Sequence, residues 1–310
     1  MKNQSLQNFS EFHTPVMISE VIKNLNLQPD GIYLDGTIGA GGHATEILAQ
    51  LSKKGRLIGL DRDAEALDIC NKRFGASALP INTFKYSYDN FPKVLDRLGF
   101  SELNGILLDL GLSSIQLNSD KRGFSYNSHG ALDMRFDNKQ TLTAADLINQ
   151  ASEEELANII FEFGEERYSR KIAKSIKSTK NILTALDLKE AIRRATPPHK
   201  RNKTLARVFQ AIRIAVNSEL EKLKIFLNIF FDYLTVGGRI IIMSYHSIED
   251  RMVKNFFKSG NIEGNLSKDF YGKVIKPFEV LNKKPIVPSD DEISNNSRAR
   301  SAKLRMAKRV

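Results

Sequence analysis

Short apolar runs that end in an acid recur along the first part of the chain, separated by segments with a helical pattern. Three of these runs are closed by aspartates, which are Asp35, Asp61 and Asp109. Apolar runs without polar alternation are typical of strands that are buried on both faces of a parallel sheet. Alternation of such strands with helices predicts an α/β fold with a doubly wound, mostly parallel sheet.

The strand pattern then stops until residue 218. Ser119–Asn138 is rich in Gly, Ser and Asn and has no sustained period, so we expect an ordered loop. The apolar periodicity that follows predicts three or four helices, over Ala144–Asn149, Glu153–Phe163, Glu166–Ser178 and Ala185–Arg194. The sequence therefore predicts one α/β domain, residues 1–112 and 218–310, that carries an inserted, mainly helical domain at residues 113–217.

The strand pattern resumes near the end of the chain. A Gly237-Gly238 turn and the strand Arg239–Ser244 are predicted first. Lys273–Leu281 and Ser301–Ala307 have strand patterns at hairpin-like spacing, which fits an antiparallel edge on a parallel sheet. The segment between them, Asn282–Arg300, is rich in Pro, Asp, Asn and Ser and is predicted to be a loop.

The composition, with 41% hydrophobic and 26% charged residues, is that of a folded globular protein. No apolar run approaches the ~18 residues of a membrane span, and the first residues lack the apolar segment of a signal peptide, so we expect a cytoplasmic location. The single cysteine, Cys70, excludes an intramolecular disulfide and a Cys-rich zinc site, and we expect no metal. A packed core thiol is favoured over a nucleophile.

The net charge of +10 is concentrated in one segment. Glu166–Arg213 contains fourteen Lys and Arg residues against three acids, a balance of +11. Such a field indicates a polyanionic partner, with nucleic acid the first candidate and a solvated charged face the alternative. At 100° per residue, five cations share one side of the predicted third helix and are our candidates for RNA binding: Arg167, Arg170, Lys171, Lys174 and Lys177.

The glycine-rich turn after the first strand, residues 39–44, matches the G-x-G-x-x-A pattern of dinucleotide-binding turns, with Asp61 at the spacing of a ribose ligand. A tight turn without a ligand is the alternative. Asp35 would repel a pyrophosphate, whereas Asp35 and Asp109 together complement the ammonium and sulfonium of S-adenosylmethionine. The acids therefore favour this methyl donor over NAD, and an NAD dehydrogenase remains the other interpretation.

Many short motifs occur in order along nearly the whole chain: HTPV at 13–16, DGT at 35–37, GGH at 41–43, LDLG at 108–111, RGFS at 122–125, LDMR at 132–135, GEER at 164–167, FQA at 209–211, HSIEDR at 246–251 and RARSAKLR at 298–305. With these motifs the chain resembles the ribosomal RNA small subunit methyltransferase H family, which methylates N4 of a cytidine in 16S rRNA. The resemblance implies a Rossmann-like class I methyltransferase that uses S-adenosylmethionine and acts on the small ribosomal subunit. A homodimer is compatible with it.

The resemblance also implies a set of cofactor contacts, which would come from Gly41, Gly42, His43, Asp61, Tyr88, Asp109 and Gln116. Asp35 joins this set through the charge argument above. Tyr88 stands where the family often has Phe, a change that keeps an aromatic face.

Methylation of a cytosine amine requires an acceptor for its N–H bond, because the N4 lone pair is delocalised into the ring, and a methyl group held in line about 3 Å away. The Pro-Pro-aromatic motif of many amino-methyltransferases is missing after Asp109. We therefore hypothesise that Asp109, with Ser113, orients the amine, and that His246 and Asp133 are second candidates. The alternatives are that Asp109 only binds cofactor and that His246 only starts a helix.

Other interpretations remain open. Carbon methylation of cytosine usually needs a cysteine, and Cys70 is badly placed for that attack, whereas hydroxyl methylation is not excluded. Phe124, Tyr126 and Phe136 could stack on an extruded base or could anchor their loop to the sheet. An amino-methyltransferase acting on DNA or another RNA, and a ribosome-assembly protein without turnover, are the alternative functions.

Overall fold

The computed structural model describes residues 15–75, 79–272 and 276–310. Its strands are β1 (Ile32–Asp35), β2 (Arg56–Asp61), β3 (Ile81–Lys85), β4 (Leu103–Asp109), β5 (Leu234–Ser244), β6 (Phe278–Val280) and β7 (Lys303–Arg309). They form one sheet in the order β3-β2-β1-β4-β5-β7-β6. The first five strands are parallel, and β7 is antiparallel to both β5 and β6. The predicted parallel sheet with an antiparallel edge is confirmed.

Thirteen α-helices lie within the described ranges. In chain order they are α1 (Ile18–Leu25), α2 (Gly42–Gln50), α3 (Ala64–Phe74), α4 (Phe91–Leu98), α5 (Ser114–Asn118), α6 (Ala144–Gln150), α7 (Glu153–Gly164), α8 (Ser169–Lys177), α9 (Ala185–Ala195), α10 (Arg201–Asn217), α11 (Glu219–Tyr233), α12 (Ser247–Ser259) and α13 (Asp290–Asn295). None of these helices is long and apolar enough to cross a bilayer.

The chain divides into two compact units. The sheet unit comprises the described residues up to 111 together with residues 221–310, and the helical unit comprises residues 112–220. Each unit has its own apolar core. The role of residues 113–217 as an RNA-recognition domain stays a prediction.

Both faces of the sheet are covered by helices within the sheet unit. Successive residues of a strand point to opposite faces, so Ile106 and Leu108 of β4 pack on one side and Leu107 on the other. The first face is covered by α4, α11 and α12, and the second by α1, α2 and α3. Cys70 of α3 is fully buried, and burial raises the pKa of its thiol to about 12, which confirms the packed core thiol.

The helical unit is organised by capped amphipathic helices. Reciprocal hydrogen bonds between the N-cap and the third residue start α6, α7 and α9, with Thr, Ser and Thr at the caps. Helix α8 begins at Ser169, three residues later than predicted. Glu165 ends α7 with a φ of 49°, and the Glu166 side chain accepts the Tyr168 N–H at 3.0 Å, so this stretch forms a turn before α8 starts.

The structure differs from the prediction in three segments in the last quarter of the chain, and one of these lies partly outside the described residues. The segment Asn282–Arg300 is not merely a loop, because it contains α13 and most of a 3-10 helix, Ser297–Ser301. Gly237 and Gly238 lie inside β5, where a register shift against β4 accommodates them. Of the predicted strand Lys273–Leu281, residues 273–275 are outside the described ranges, and the strand covers Phe278–Val280.

Candidate active site

Three aspartates lie at the same edge of the sheet, because their strands β2, β1 and β4 are adjacent and parallel. Asp35, Asp61 and Asp109 end these strands where the direction of winding reverses, which is the usual ligand position in doubly wound sheets. We call the three residues the acidic crevice. Sequence reasoning predicted this grouping, and the structure brings the residues together.

Burial disfavours the charged forms of two acids in the crevice, Asp35 and Asp61. Asp35 is only 2% exposed, and its burial, reinforced by the charges of Asp109 and Asp61, raises its pKa to about 7. Burial likewise raises the pKa of Asp61 to about 6. Buried carboxylates become easier to ionise when a cation lies beside them. The crevice therefore favours a positively charged ligand.

Hydrogen bonds connect the glycine-rich turn to the acidic crevice. The Thr37 N–H donates to Asp35 Oδ1 at 3.1 Å, and the Asp109 N–H donates to Thr37 Oγ1 at 2.7 Å. The Gly39 N–H donates to Asp61 Oδ2 at 2.8 Å. Thr37 was not among the predicted site residues, although a hydroxyl two positions after a strand-end acid could have been predicted to bond to the strand ends. The bonds from Thr37 and Gly39 fix the carboxylates of Asp35 and Asp61 before any ligand arrives.

The neighbouring glycines are required by packing inside the protein. Gly41 has a φ of 82°, and a Cβ there would lie 2.5 Å from Cε2 of Phe74. A Cβ on Gly42 would lie 2.5 Å from Cγ of Pro15. The sequence motif is thus explained in part without a ligand, and cofactor contact by Gly41 and Gly42 stays a prediction.

His43 is a buried, neutral side chain. Its Nε2 lies 3.0 Å from the Val16 carbonyl oxygen, which can only accept, so Nε2 carries the proton. Burial lowers the pKa of His43, against the opposing charge of Asp109. His43 therefore fastens the segment before α1 to α2, and its predicted cofactor contact is not tested by this geometry.

Tyr88 lies close to the end of β1. It opens a 3-10 turn, Tyr88–Asn90, and its ring packs edge-on against Phe226 with centroids 5.6 Å apart. A Cβ on Gly36 would lie 2.9 Å from the Tyr88 Cβ, so the glycine allows this approach. The position beside Asp35 is compatible with the predicted adenine contact, which stays a prediction.

Asp109 is held by donors from two adjacent strand ends. Its Oδ1 accepts the Gly111 N–H at 3.0 Å, and the Tyr245 side chain is hydrogen-bonded to it. Burial and then the Asp109 charge raise the pKa of Tyr245. Sequence reasoning did not select Tyr245, although it directly follows β5, the neighbour of β4. Tyr245 and Gly111 together orient the carboxylate that we predicted to act on the substrate.

His246 lies at the start of a helix, which was the alternative to a catalytic role. It is the N-cap of α12, where its Nδ1 accepts the Glu249 N–H at 3.4 Å and its Nε2 lies 3.1 Å from Glu249 Oε1. Both ring nitrogens therefore face Glu249. This geometry supports the helix-start alternative, and a catalytic role of His246 stays an untested prediction.

Three predicted site residues of the helical unit contact partners within that unit. Ser113 and Gln116 form a capping box at the start of α5, with bonds of 3.2 and 3.1 Å. Asp133 binds Arg135 through both carboxylate oxygens, at 2.7 and 2.8 Å. Burial acts to raise the pKa of Asp133, but the hydrogen bonds and charge of Arg135 outweigh it and lower that pKa. Asp133 is thus a poor proton acceptor, so this geometry favours a structural role, and its catalytic role stays an untested prediction.

Four of the five predicted RNA-binding cations are exposed. Arg170, Lys171 and Lys174 lie on the face of α8 opposite its buried residues, and Arg167 lies in the preceding turn. We call these four residues the basic face. Lys177 differs, because its Nζ donates to the carbonyls of Ile148 and Asn149 at 3.1 and 3.0 Å near the end of α6. These bonds tie its ammonium group to the end of that helix, and RNA binding by Lys177 stays an untested prediction.

The aromatic residues of the Ser119–Asn138 loop belong to the core of the helical unit. Phe124, 7% exposed, stacks on Phe136 with centroids 5.8 Å apart. Tyr126 packs edge-on against Phe209 at 6.0 Å. These contacts show that the rings pack within the helical unit, and base stacking by Tyr126 or Phe136 stays a prediction.

Comparison with known proteins identifies the family. Residues 10–310 match the MraW methylase family. This chain belongs to that family. It is 44% identical over 304 residues to ribosomal RNA small subunit methyltransferase H of Parabacteroides distasonis, covering 96% of this chain and 98% of that protein. It is 45% identical over 309 residues to the protein of the same name from Thermosipho africanus, covering 98% and 100%.

Membership of the MraW methylase family makes S-adenosylmethionine the cofactor. The residues at the sheet edge fit this ligand, because buried acids whose pKa values are raised accommodate its ammonium and sulfonium charges. Asp35, Asp61 and Asp109 are the residues of this methylase that would hold it. A dinucleotide would place a pyrophosphate against the same carboxylates.

Proposed function

We propose that this protein transfers the methyl group of S-adenosylmethionine to N4 of a cytidine in the 16S rRNA of the small ribosomal subunit. The buried acidic crevice is the observation that supports a methyl donor with positive charge. The names of relatives at 44–45% identity support small-subunit ribosomal RNA as the acceptor. The proposal requires the compartment that contains ribosomes, which in a bacterium is the cytoplasm.

The bound cofactor supplies a methyl group on a positively charged sulfur. Asp35 and Asp61 would hold the cofactor through their negative charge and through the carboxylate lone pairs that are not used by the backbone donors. The Asp109 carboxylate accepts an N–H of the cytosine amine, which turns the nitrogen lone pair towards the methyl group, and then takes the proton. Gly111 and Tyr245 keep that carboxylate in one orientation.

The basic face of α8 contributes to substrate binding in this proposal. Exposed guanidinium and ammonium groups neutralise phosphates without reading sequence, so they position the RNA and do not select the base. Self-association into a homodimer stays a prediction, which sedimentation analysis of the purified protein tests directly.

The test is nucleoside mass spectrometry after the purified protein has been incubated with S-adenosylmethionine and unmethylated small ribosomal subunits. N4-methylcytidine is the expected product. Another methylated nucleoside would replace the proposed acceptor, and binding of subunits without any methylated product would point to an assembly protein. Parallel reactions with DNA and naked rRNA define the substrate form.

The role of Asp109 has its own test. We expect Asp109→Ala to lower kcat by roughly 10²- to 10⁴-fold at saturating cofactor, the usual contribution of a positioned acceptor. Asp68→Asn, a change of an exposed acid on α3, is the matched control and is expected to leave kcat unchanged. Normal kcat in Asp109→Ala would rule out the catalytic assignment and leave Asp109 a cofactor ligand at most.

A further inference from the structure

Two aromatic rings project into solvent between α12 and β6. Phe270 is 97% exposed and Tyr271 is 91% exposed, the highest values among the large hydrophobic residues of the described chain. Their rings meet edge-to-face with centroids 5.8 Å apart and belong to none of the apolar cores. Exposure of two adjacent aromatic side chains is unfavourable unless a partner covers them.

The local fold does not need these rings. Residues 269–272 form a β-turn in which the Gly272 N–H donates to the Asp269 carbonyl at 3.0 Å. The Asp269 side chain accepts the Tyr271 N–H at 2.9 Å. Asp at the first position and Gly at the fourth are the residues this kind of turn prefers, and the two central positions tolerate most side chains. We call residues 269–272 the aromatic tip.

The loop that carries the aromatic tip is fastened to α12. Asn261 Oδ1 accepts the N–H groups of Gly264 and Asn265 at 2.9 and 3.0 Å. Asn255 of α12 donates to the Ile262 carbonyl at 3.0 Å. The tip is therefore presented from a hydrogen-bonded base in the sheet unit.

The charged residues that precede and follow the aromatic tip in the sequence indicate the kind of partner. The sequence between residues 254 and 276 contains five lysines and two acids. Lys254, Lys258, Lys268 and Lys276 are exposed. Lysines beside free aromatic rings are the combination that proteins use for single-stranded nucleic acid, with phosphates on the cations and bases stacked on the rings. A second copy of this chain would bring the same positive charges together.

We infer that the aromatic tip is a second rRNA contact, in which Phe270 and Tyr271 stack on unpaired bases while the nearby lysines bind phosphates. This inference rests on the proposed function, since it names a further surface for the same substrate. It assigns RNA binding to the sheet unit in addition to the basic face of the helical unit.

The chain contains no tryptophan, which allows a direct test. Tyr271→Trp places a single fluorescent indole at the tip, and Phe161→Trp places one at another exposed site, on α7. We expect an unstructured oligouridylate to quench the indole at residue 271, because a stacked base quenches it, and to leave that at residue 161 unchanged. Equal emission with and without RNA in both variants would overturn the inference.

A kinetic test separates stacking from other roles of the tip. The Phe270→Ala/Tyr271→Ala double variant should raise KM for small subunits about tenfold or more with kcat little changed, and Phe161→Ala should change neither. The Phe270→Trp/Tyr271→Trp variant should restore KM. Unchanged KM together with lost self-association would instead make the tip a contact between copies. If the wild type makes no methylated product, the proposed function fails, whereas quenching still reports on RNA binding.

Discussion

The acidic crevice and the basic face show two opposite uses of charge in one protein. The crevice has three carboxylates at a buried sheet edge, fixed by backbone hydrogen bonds. The basic face has four cations on exposed positions of one short segment. Two unit charges 4 Å apart interact with about 4 kcal/mol near a protein surface and about 1 kcal/mol in water. A buried carboxylate can therefore select one small cation, whereas exposed cations attract any polyanion.

The two regions also differ in how their charges affect the stability of the protein. Asp35 and Asp61 are held in a setting that disfavours their charged forms, as their raised pKa values show. Ionisation of these two acids lowers the stability of the free protein, and a bound cation offsets this loss because it stabilises their charged forms. Exposed cations remain solvated, so they cost the fold little and respond to salt. We expect substitutions in the two regions to separate cofactor binding from RNA binding.

Among the substitutions that affect binding, the largest effect is expected from Asp35→Asn. Loss of a charged hydrogen-bond partner should weaken S-adenosylmethionine binding roughly 10- to 100-fold. The same change should raise the melting temperature of the free protein by a few degrees, because it removes a buried charge. Calorimetry and thermal unfolding measure the two effects, with Asp68→Asn as control. A variant that loses both affinity and stability would show that Asp35 is mainly a structural residue.

The second effect is on pH dependence. The pKa values of about 6 for Asp61 and about 7 for Asp35 predict that cofactor affinity rises as pH increases from 5 to 8, with proton release near neutral pH. The stability of the free protein should change in the opposite sense. The pKa of Asp35 in the folded protein lies above the ordinary value of 3.8. Its contribution to the free energy of unfolding is therefore fully present below about pH 4 and is lost as the pH rises through 7.

Calorimetric titration in two buffers of different ionisation enthalpy measures the proton release, and denaturant unfolding across the same pH range measures stability. In the Asp35→Asn variant, neither cofactor affinity nor stability should change with pH near 7. Affinity that is independent of pH between 5 and 8 would show that the crevice carboxylates do not titrate on binding.

The smallest effect is expected from the basic face. Arg170→Glu with Lys174→Glu should weaken subunit binding at low salt and reduce the log–log salt slope by roughly 1 to 2, since each phosphate contact contributes about 0.7 to 0.9. Cofactor affinity should not change. Lys177→Met is the matched control on the same helix, and it should cost about 1 kcal/mol of stability with no change in salt slope, because Lys177 binds backbone carbonyls.

If the charge-reversed protein binds subunits normally at low salt, the basic face is a solvated surface and does not bind RNA. A fall in salt slope for Lys177→Met would mean that its ammonium group still reaches phosphates.

The strand-end aspartates could be predicted from the sequence, whereas the partners of several other polar residues could not. A buried parallel strand is recognisable from its own apolar run, and the residue that ends it must lie at the sheet edge. The Met17 N–H donates to Oε1 of Glu292, 275 positions away in the chain, so no local pattern reveals this bond. For the same reason the packing of Asn282–Arg300 was missed, and Tyr245 was not connected with Asp109.

The sequence by itself determined the order of strands and helices, the acids at the mouth of the sheet, the place of the positive charge and the family. These features are local in the chain or are set by composition and periodicity. The tertiary structure decided which charged and aromatic side chains are free to act. It buried Phe124 and stacked the partly buried Phe136 on it, paired Asp133 with Arg135 and bound Lys177 to the end of α6. Only folding brings together the neighbours that decide whether a side chain is free to act. It also left Phe270 and Tyr271 without a place in any core.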